Sequence, residues 1–169
     1  MRTNLYWVEG AYPGRVAVSP RPRGGDWLED EILAWSRAGI DAVVSLLTPD
    51  EVTDLDLAQE ETLCRRHGIR LVSWPIPDRA VPESRETFAE AIATLAELVA
   101  DGKNVAIHCR QGIGRAALVA VCLLIQLGRD PDEALELVAS ARGVAVPETP
   151  EQRRWIFDFA RSSPEALTR

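Results

Sequence analysis

The chain has 169 residues, 46% of them hydrophobic and 27% charged, which suits one globular domain large enough to bury a real core. A net charge of −7, with Lys103 the only lysine, offers no electrostatic footprint for duplex nucleic acid or an anionic membrane, and neither is expected as a partner. The three cysteines, Cys64, Cys109 and Cys122, lack zinc-like spacing, so no disulfide framework, metal site or cofactor is expected. No apolar run reaches membrane-spanning length and the first residues lack a secretory apolar region, so the expected location is cytoplasmic.

In chain order, Leu5 to Val8 and Arg15 to Val18 are β-like pieces around Tyr12-Pro13-Gly14, an expected opening hairpin. Asp26 to Ala38 predicts a helix with Asp26 as N-cap, Gly39 as stop, and Trp27, Leu28, Ile32, Leu33 and Trp35 near helical spacing. Ile40 to Leu47 reads as a buried strand ended by Thr48-Pro49. An amphipathic helix follows over Leu57 to His67, then a strand over Ile69 to Trp74 that stops at Pro75-Ile76-Pro77-Asp78. Glu83 to Ala100 predicts a long helix with Phe88, Ile92, Leu95 and Val99 on one stripe. Val105 to Ile107 is a short buried strand, and an apolar helix begins at Arg115. Two more helices are expected over Pro131 to Arg142 and Pro150 to Phe159.

Helices and strands therefore alternate, the pattern of an α/β fold with a mostly parallel sheet of about four to five strands flanked by helices. No linker or repeat interrupts it, so one domain is expected over residues 1–161 with a tail at 162–169. Trp27, Trp35 and Trp155 on helix faces, and Trp7 and Trp74 in strands, are expected to pack in the core.

The chemistry concentrates in Asn104 to Leu118, where Cys109 ends a strand and a loop bearing Gly112 and Gly114 leads into a helix. Backbone N–H groups of such a loop converge at the helix N-terminus and favour an anion. The same field stabilises a thiolate and makes Cys109 a candidate nucleophile. Arg115 closes the loop, and its planar fork suits two oxygens of a tetrahedral oxyanion. Both glycines are expected to permit positive φ and close approach of the backbone to the anion.

The run His108-Cys109-Arg110-Gln111-Gly112-Ile113-Gly114-Arg115 resembles the signature of the cysteine-dependent protein tyrosine and dual-specificity phosphatase superfamily. The resemblance spans roughly Asp41 to Phe159 and implies a phosphate monoester hydrolase acting through a phosphocysteine, on a phosphorylated protein or a small phosphate ester. It implies substrate binding by the backbone of Arg110, Gln111, Gly112, Ile113 and Gly114, and structural support from His108. The side chains of Arg110 and Gln111 are expected to point outward. Expulsion of an alkoxide requires a general acid on a separate facing loop, and Asp78, on a proline-stiffened loop, fits that need. The resemblance assigns Asp78 the same role and gives Gln152, at a helix start, the task of orienting the hydrolytic water. Arg79 is a candidate for a second anionic group of the substrate. The compact loop around Pro77 suggests the dual-specificity style of pocket.

One position departs from the family pattern. Ala116 stands where relatives carry Ser or Thr, whose hydroxyl steadies the departing thiolate, and this puts the second half of the cycle in question. Cys64 is expected to be an apolar helix-face residue rather than a redox partner of Cys109, and Cys122 a core residue. Asp50, Glu51, Glu60 and Glu61 are candidates to tether arginines or cap helices, with most of them solvated. The competing readings are a phosphatase of inositol phosphates, nucleotides or RNA 5′ ends, a rhodanese-like sulfurtransferase, and a phosphoprotein-binding module with slow turnover or none. A monomer is plausible.

Overall fold

The computed structural model describes residues 4–10 and 12–163. Five strands, β1 (Tyr6–Val8), β2 (Val16–Ser19), β3 (Ala42–Ser45), β4 (Arg70–Ser73) and β5 (Val105–His108), form one sheet ordered β1-β2-β5-β3-β4. Only β1 runs antiparallel to its neighbour; β2, β5, β3 and β4 are parallel, as the alternation of elements requires. The opening hairpin forms with Trp7 opposite Ala17.

Strand alternation divides the core into two layers. Val16, Val18, Ala42, Val44, Val105 and Ile107 face one side, and Ala17, Val43 and Ala106 the other. The second side is covered by α1 (Leu28–Arg37) and α3 (Glu60–Arg66) through Leu28, Ile32, Trp35 and Cys64. The first side holds α4 (Arg85–Ala100), α5 (Arg115–Gln126), α6 (Pro131–Arg142) and α7 (Pro150–Ser162). Every residue of α5 from Arg115 to Ile125 is buried, because α4, α6 and α7 all pack against it. A helix that is apolar all round can satisfy itself only in such a position. The central strand β5 and the central helix α5 are therefore joined directly by the loop 109–114.

Helix starts follow local chemistry. Ser84 accepts a hydrogen bond from Thr87 N at 3.3 Å, and Asp130 from Asp132 N at 3.0 Å, each ahead of its helix. A short helix unforeseen in the sequence, α2 (Pro49–Asp54), begins at Thr48 with a capping box closed by Glu51.

Two expectations about the first helix change. The segment starts as a 3-10 turn at Gly25–Trp27, and α1 begins one turn later without a side-chain cap, so Asp26 is not its N-cap. Trp27 consequently falls off the Leu28-Ile32-Trp35 stripe. It is 55% exposed, with the Arg23 guanidinium 4.7 Å from its ring centroid. Trp35 is buried, whereas Trp7, Trp74 and Trp155 are half-buried. Trp74 and Trp155 pack on Phe88, with centroids 5.1 and 5.6 Å away. Ser162, the first residue of the expected tail, closes α7, and residues 164–169 lie outside the described ones.

Candidate active site

Cys109 follows the last residue of β5 and is 3% exposed. Gly112 N donates to its Sγ at 3.2 Å, so the loop already directs a backbone N–H at the sulfur. That fold-back requires Gly112: its φ is 76°, and a Cβ there would stand 2.8 Å from the Ser19 carbonyl carbon. Gly114 is different from expectation. Its φ is −105°, and its small size matters because a Cβ would lie 2.9 Å from Glu148 Oε2 and 3.3 Å from Gln152 Nε2.

Arg115 is a buried charge with two acidic partners. At 2% exposure it donates through Nη1 to Glu51 Oε1 (2.6 Å) and Ile76 O (2.8 Å), and through Nη2 to Glu51 Oε2 (2.9 Å) and Asp78 Oδ1 (3.2 Å). Burial alone would lower its pKa, but the hydrogen bonds to Glu51 and the charges at Cys109, Glu51 and Asp78 raise it above the ordinary value. Burial likewise works to raise Glu51, and the hydrogen bonds from Arg115, Thr48 and Arg110 outweigh it, holding this carboxyl at about 2. Glu51 thus both caps α2 and fixes the guanidinium by a bidentate pair.

Further polar contacts from α3 and α6 hold the loop. His108 is fully buried with Nε2 2.7 Å from Glu60 Oε1 and Nδ1 3.3 Å from Cys109 O, a placement compatible with the structural support expected of it. Glu60 belongs to α3, so this contact ties the sheet's second side to the loop. Arg142, from the last turn of α6, donates to Gly112 O at 3.0 Å and to Gln111 O at 3.1 Å. Those two carbonyls are turned toward the guanidinium, while the Gly112 N–H is on the Cys109 sulfur.

Asp78, Cys109, Arg110, Ile113, Arg115 and Glu148, with Gln111 and Gly114, line one cavity of about 50 Å3. The structure thus brings together Asp78, Cys109 and, apart from Gly112, the loop residues from Arg110 to Arg115 that the sequence singled out. Gln111 is exposed as expected, but Arg110 folds back, with Nε 3.3 Å from Glu51 Oε2, because a half-exposed guanidinium finds that carboxylate within reach. Arg79 stands beside the cavity, and its Nη1 donates to Glu148 Oε1 at 2.8 Å.

Gln152, expected to orient the hydrolytic water, sits in the first turn of α7. It is fully buried, its Oε1 accepts from Thr149 N at 3.2 Å, and its Nε2 donates to Ala80 O at 3.1 Å. These two bonds join the start of α7 to the loop of Asp78, and Gln152 is not among the residues that line the cavity. Of the acidic candidates, Asp50 and Glu61 are exposed, whereas Glu51 and Glu60 are buried partners of Arg115 and His108. Glu51 had a readable signal, since Thr48-Pro49-Asp50-Glu51 is a capping-box sequence. Glu60 stood among the acidic candidates without a named partner, and Arg142 and Glu148 had no signal, as each reaches the site from a distant segment.

The other two cysteines lie outside the cavity that Cys109 lines. Burial, with Glu60 and Glu61 nearby, pushes the Cys64 thiol up to about 12, and burial alone raises Cys122 well above its ordinary value. Cys64 also belongs to the core layer across the sheet from Cys109. Both are packed apolar side chains. Among the described residues there is no cluster of metal-ligating side chains.

The model of the dual specificity phosphatase catalytic domain matches residues 36–162. Cyclin-dependent kinase inhibitor 3 of Rattus norvegicus is 29% identical over 124 residues, covering 72% of this chain and 58% of that protein. A protein of Arabidopsis thaliana described as a phosphatidylinositol 3,4,5-trisphosphate 3-phosphatase and protein-tyrosine-phosphatase is 31% identical over 140 residues, covering 74% of this chain and 33% of its own. The chain therefore spans less than two thirds of the length of these relatives. Among solved structures, that of Tk-PTP in the active form superposes with a TM-score of 0.78 at 32% identity, over 96% of this chain and all of that one (100%). With its loop, buried arginine and facing aspartate in place, the chain belongs to the dual specificity phosphatase catalytic-domain family.

Proposed function

We propose that the chain is a phosphate monoester hydrolase of the dual-specificity or tyrosine phosphatase type, acting on phosphoproteins through a phosphocysteine and without a metal. The observation that carries this reading is the convergence of Cys109, Arg115 and Asp78 on one cavity, with the sulfur already accepting a loop N–H. In the first step Cys109 Sγ attacks phosphorus while the loop amides and Arg115 hold the non-bridging oxygens. Asp78 Oδ1 now sits on Arg115 Nη2, on a side chain 57% exposed. The incoming phosphate takes that place on the guanidinium, and the displaced carboxylate takes up a proton from solvent and turns to the leaving oxygen. As the S–P bond forms and the P–O bond breaks, Asp78 gives its proton to the departing alkoxide or phenoxide. In the second step Asp78 takes a proton from water, which attacks phosphorus and releases the thiolate. Gln152 acts as a positioning residue in both steps, by tying Ala80, two residues from the acid, to α7.

Kinetics on an aryl phosphate across pH test this reading. Wild type turns over, Cys109→Ser falls to the background rate, and Asp78→Ala loses about 10²–10⁴-fold with a poor leaving group and little with a good one. Turnover equal in wild type and Cys109→Ser would refute the enzyme.

A slow second step is the variant reading that Ala116 favours, since this buried side chain has no hydroxyl to offer the departing sulfur. The Gly112 N–H on Sγ is the donor that supports normal turnover instead. Rapid mixing separates the two: a burst of released alcohol, removed in Ala116→Ser, marks slow hydrolysis of the phosphocysteine, and its absence marks compensation by Gly112.

A further inference from the structure

The second-anion place beside the phosphate cradle is already taken, and the occupant belongs to the protein. Glu148 lines the same cavity as Cys109 and Arg115, with its side chain 30% exposed. Its Oε1 holds Arg79 at 2.8 Å, and its Oε2 lies where a Cβ on Gly114 would come within 2.9 Å. Glu148 therefore rests against the loop itself, a carboxylate on the rim of a site built for an anion. Arg79 is held there in the left-handed backbone region, φ 62°, which a residue with a side chain rarely adopts without constraint.

The remaining cations near the cavity are also engaged. Arg110 donates to Glu51 at 3.3 Å, Arg115 is shared between Glu51 and Asp78, and Arg142 binds the carbonyls of Gln111 and Gly112. A substrate with several phosphates would have to bring its additional charge against Glu148 and separate it from Arg79. A lone phosphate monoester brings no such charge. Like charges brought together across an interface discriminate by repulsion rather than by lost attraction.

We infer that Glu148 is a specificity-determining residue, a charge filter that admits isolated phosphate monoesters in neutral or cationic surroundings and rejects polyanionic phosphates such as inositol polyphosphates. This inference rests on the hydrolase reading above and names the substrate class of that site.

Calorimetric binding to the inactive Cys109→Ser protein tests it without turnover. Phosphotyrosine and inositol hexakisphosphate are titrated into Cys109→Ser and into Cys109→Ser/Glu148→Gln, with Glu148→Ala as a second form of the same change. The ratio of the hexakisphosphate dissociation constant to that of phosphotyrosine falls about tenfold when the charge is removed, and the fall shrinks at high salt. A ratio that stays within about twofold, or equal weakening of both ligands as a purely structural loss would give, overturns the filter while leaving the cradle standing. If phosphotyrosine and the hexakisphosphate both fail to bind Cys109→Ser, the cradle is overturned, and the hydrolase reading with it.

Discussion

The two ends of β5 show how similar polar residues come to serve different purposes. At the start, Asn104 N donates to Asp41 Oδ2 (2.8 Å), its side-chain Nδ2 to Gly39 O (2.9 Å), and its Oδ1 accepts from Arg15 N (3.0 Å). This web joins the openings of three adjacent strands, and each group answers another. At the finish, Arg115, Glu51 and Asp78 also answer one another, but around a cavity that holds the Cys109 sulfur. The difference follows from polarity of the chain. Parallel strands deliver their carboxyl ends to helix N-termini, where N–H groups lack partners and attract anions. The first end joins strand openings; the second gathers its charges around a cavity.

Substitutions at the two ends should therefore separate activity from stability. The largest effect is expected at Arg115→Lys, which keeps charge and loses the fork: kcat/KM on an aryl phosphate falls about 10²–10³-fold. Equal rates for the two proteins would show that the guanidinium is only a structural charge. Glu51→Gln probes the clamp through pH. Because the folded pKa of Glu51 is lowered, its contribution is fully present above its ordinary value of 4.5 and is lost as pH falls toward about 2. The gap in urea midpoint between wild type and Glu51→Gln should be wide near about pH 6 and mostly closed by about pH 2.5. A gap independent of pH would mean that the bidentate pair contributes nothing through ionisation. The smallest effect belongs to the other end of the strand. Asn104→Ala should cost about 1 kcal/mol of stability and leave kcat/KM unchanged, read by denaturation and by assay of the same preparation.

The same contrast explains what the sequence could and could not disclose. Cys109 to Arg115 is contiguous, so the nucleophile, loop and arginine were readable as one signal, and Asp78 stood out on its proline-stiffened loop. The parallel sheet was readable from alternating apolar runs, because burial on both faces leaves continuous Val, Ile and Ala. What escaped was supplied by tertiary structure. Glu60 reaches His108 from α3, Arg142 reaches the loop carbonyls from α6, and Glu148 meets Arg79 across sixty-nine positions of chain. Gln152 was found, but its environment was not: a capping box and the Ala80 carbonyl absorb its amide. Trp27 misled because a single 3-10 turn shifted the helical phase, leaving the ring outside.

The central claim is that phosphate passes through the Cys109 sulfur. It is tested most directly by acid-quenching wild type during turnover of a radiolabelled aryl phosphate and mapping the label. The account predicts label on the peptide containing Cys109 during turnover, and none in Cys109→Ser. Continued turnover with no label on that peptide at any quench time, and with an Asp78→Ala variant that accumulates none, would contradict it.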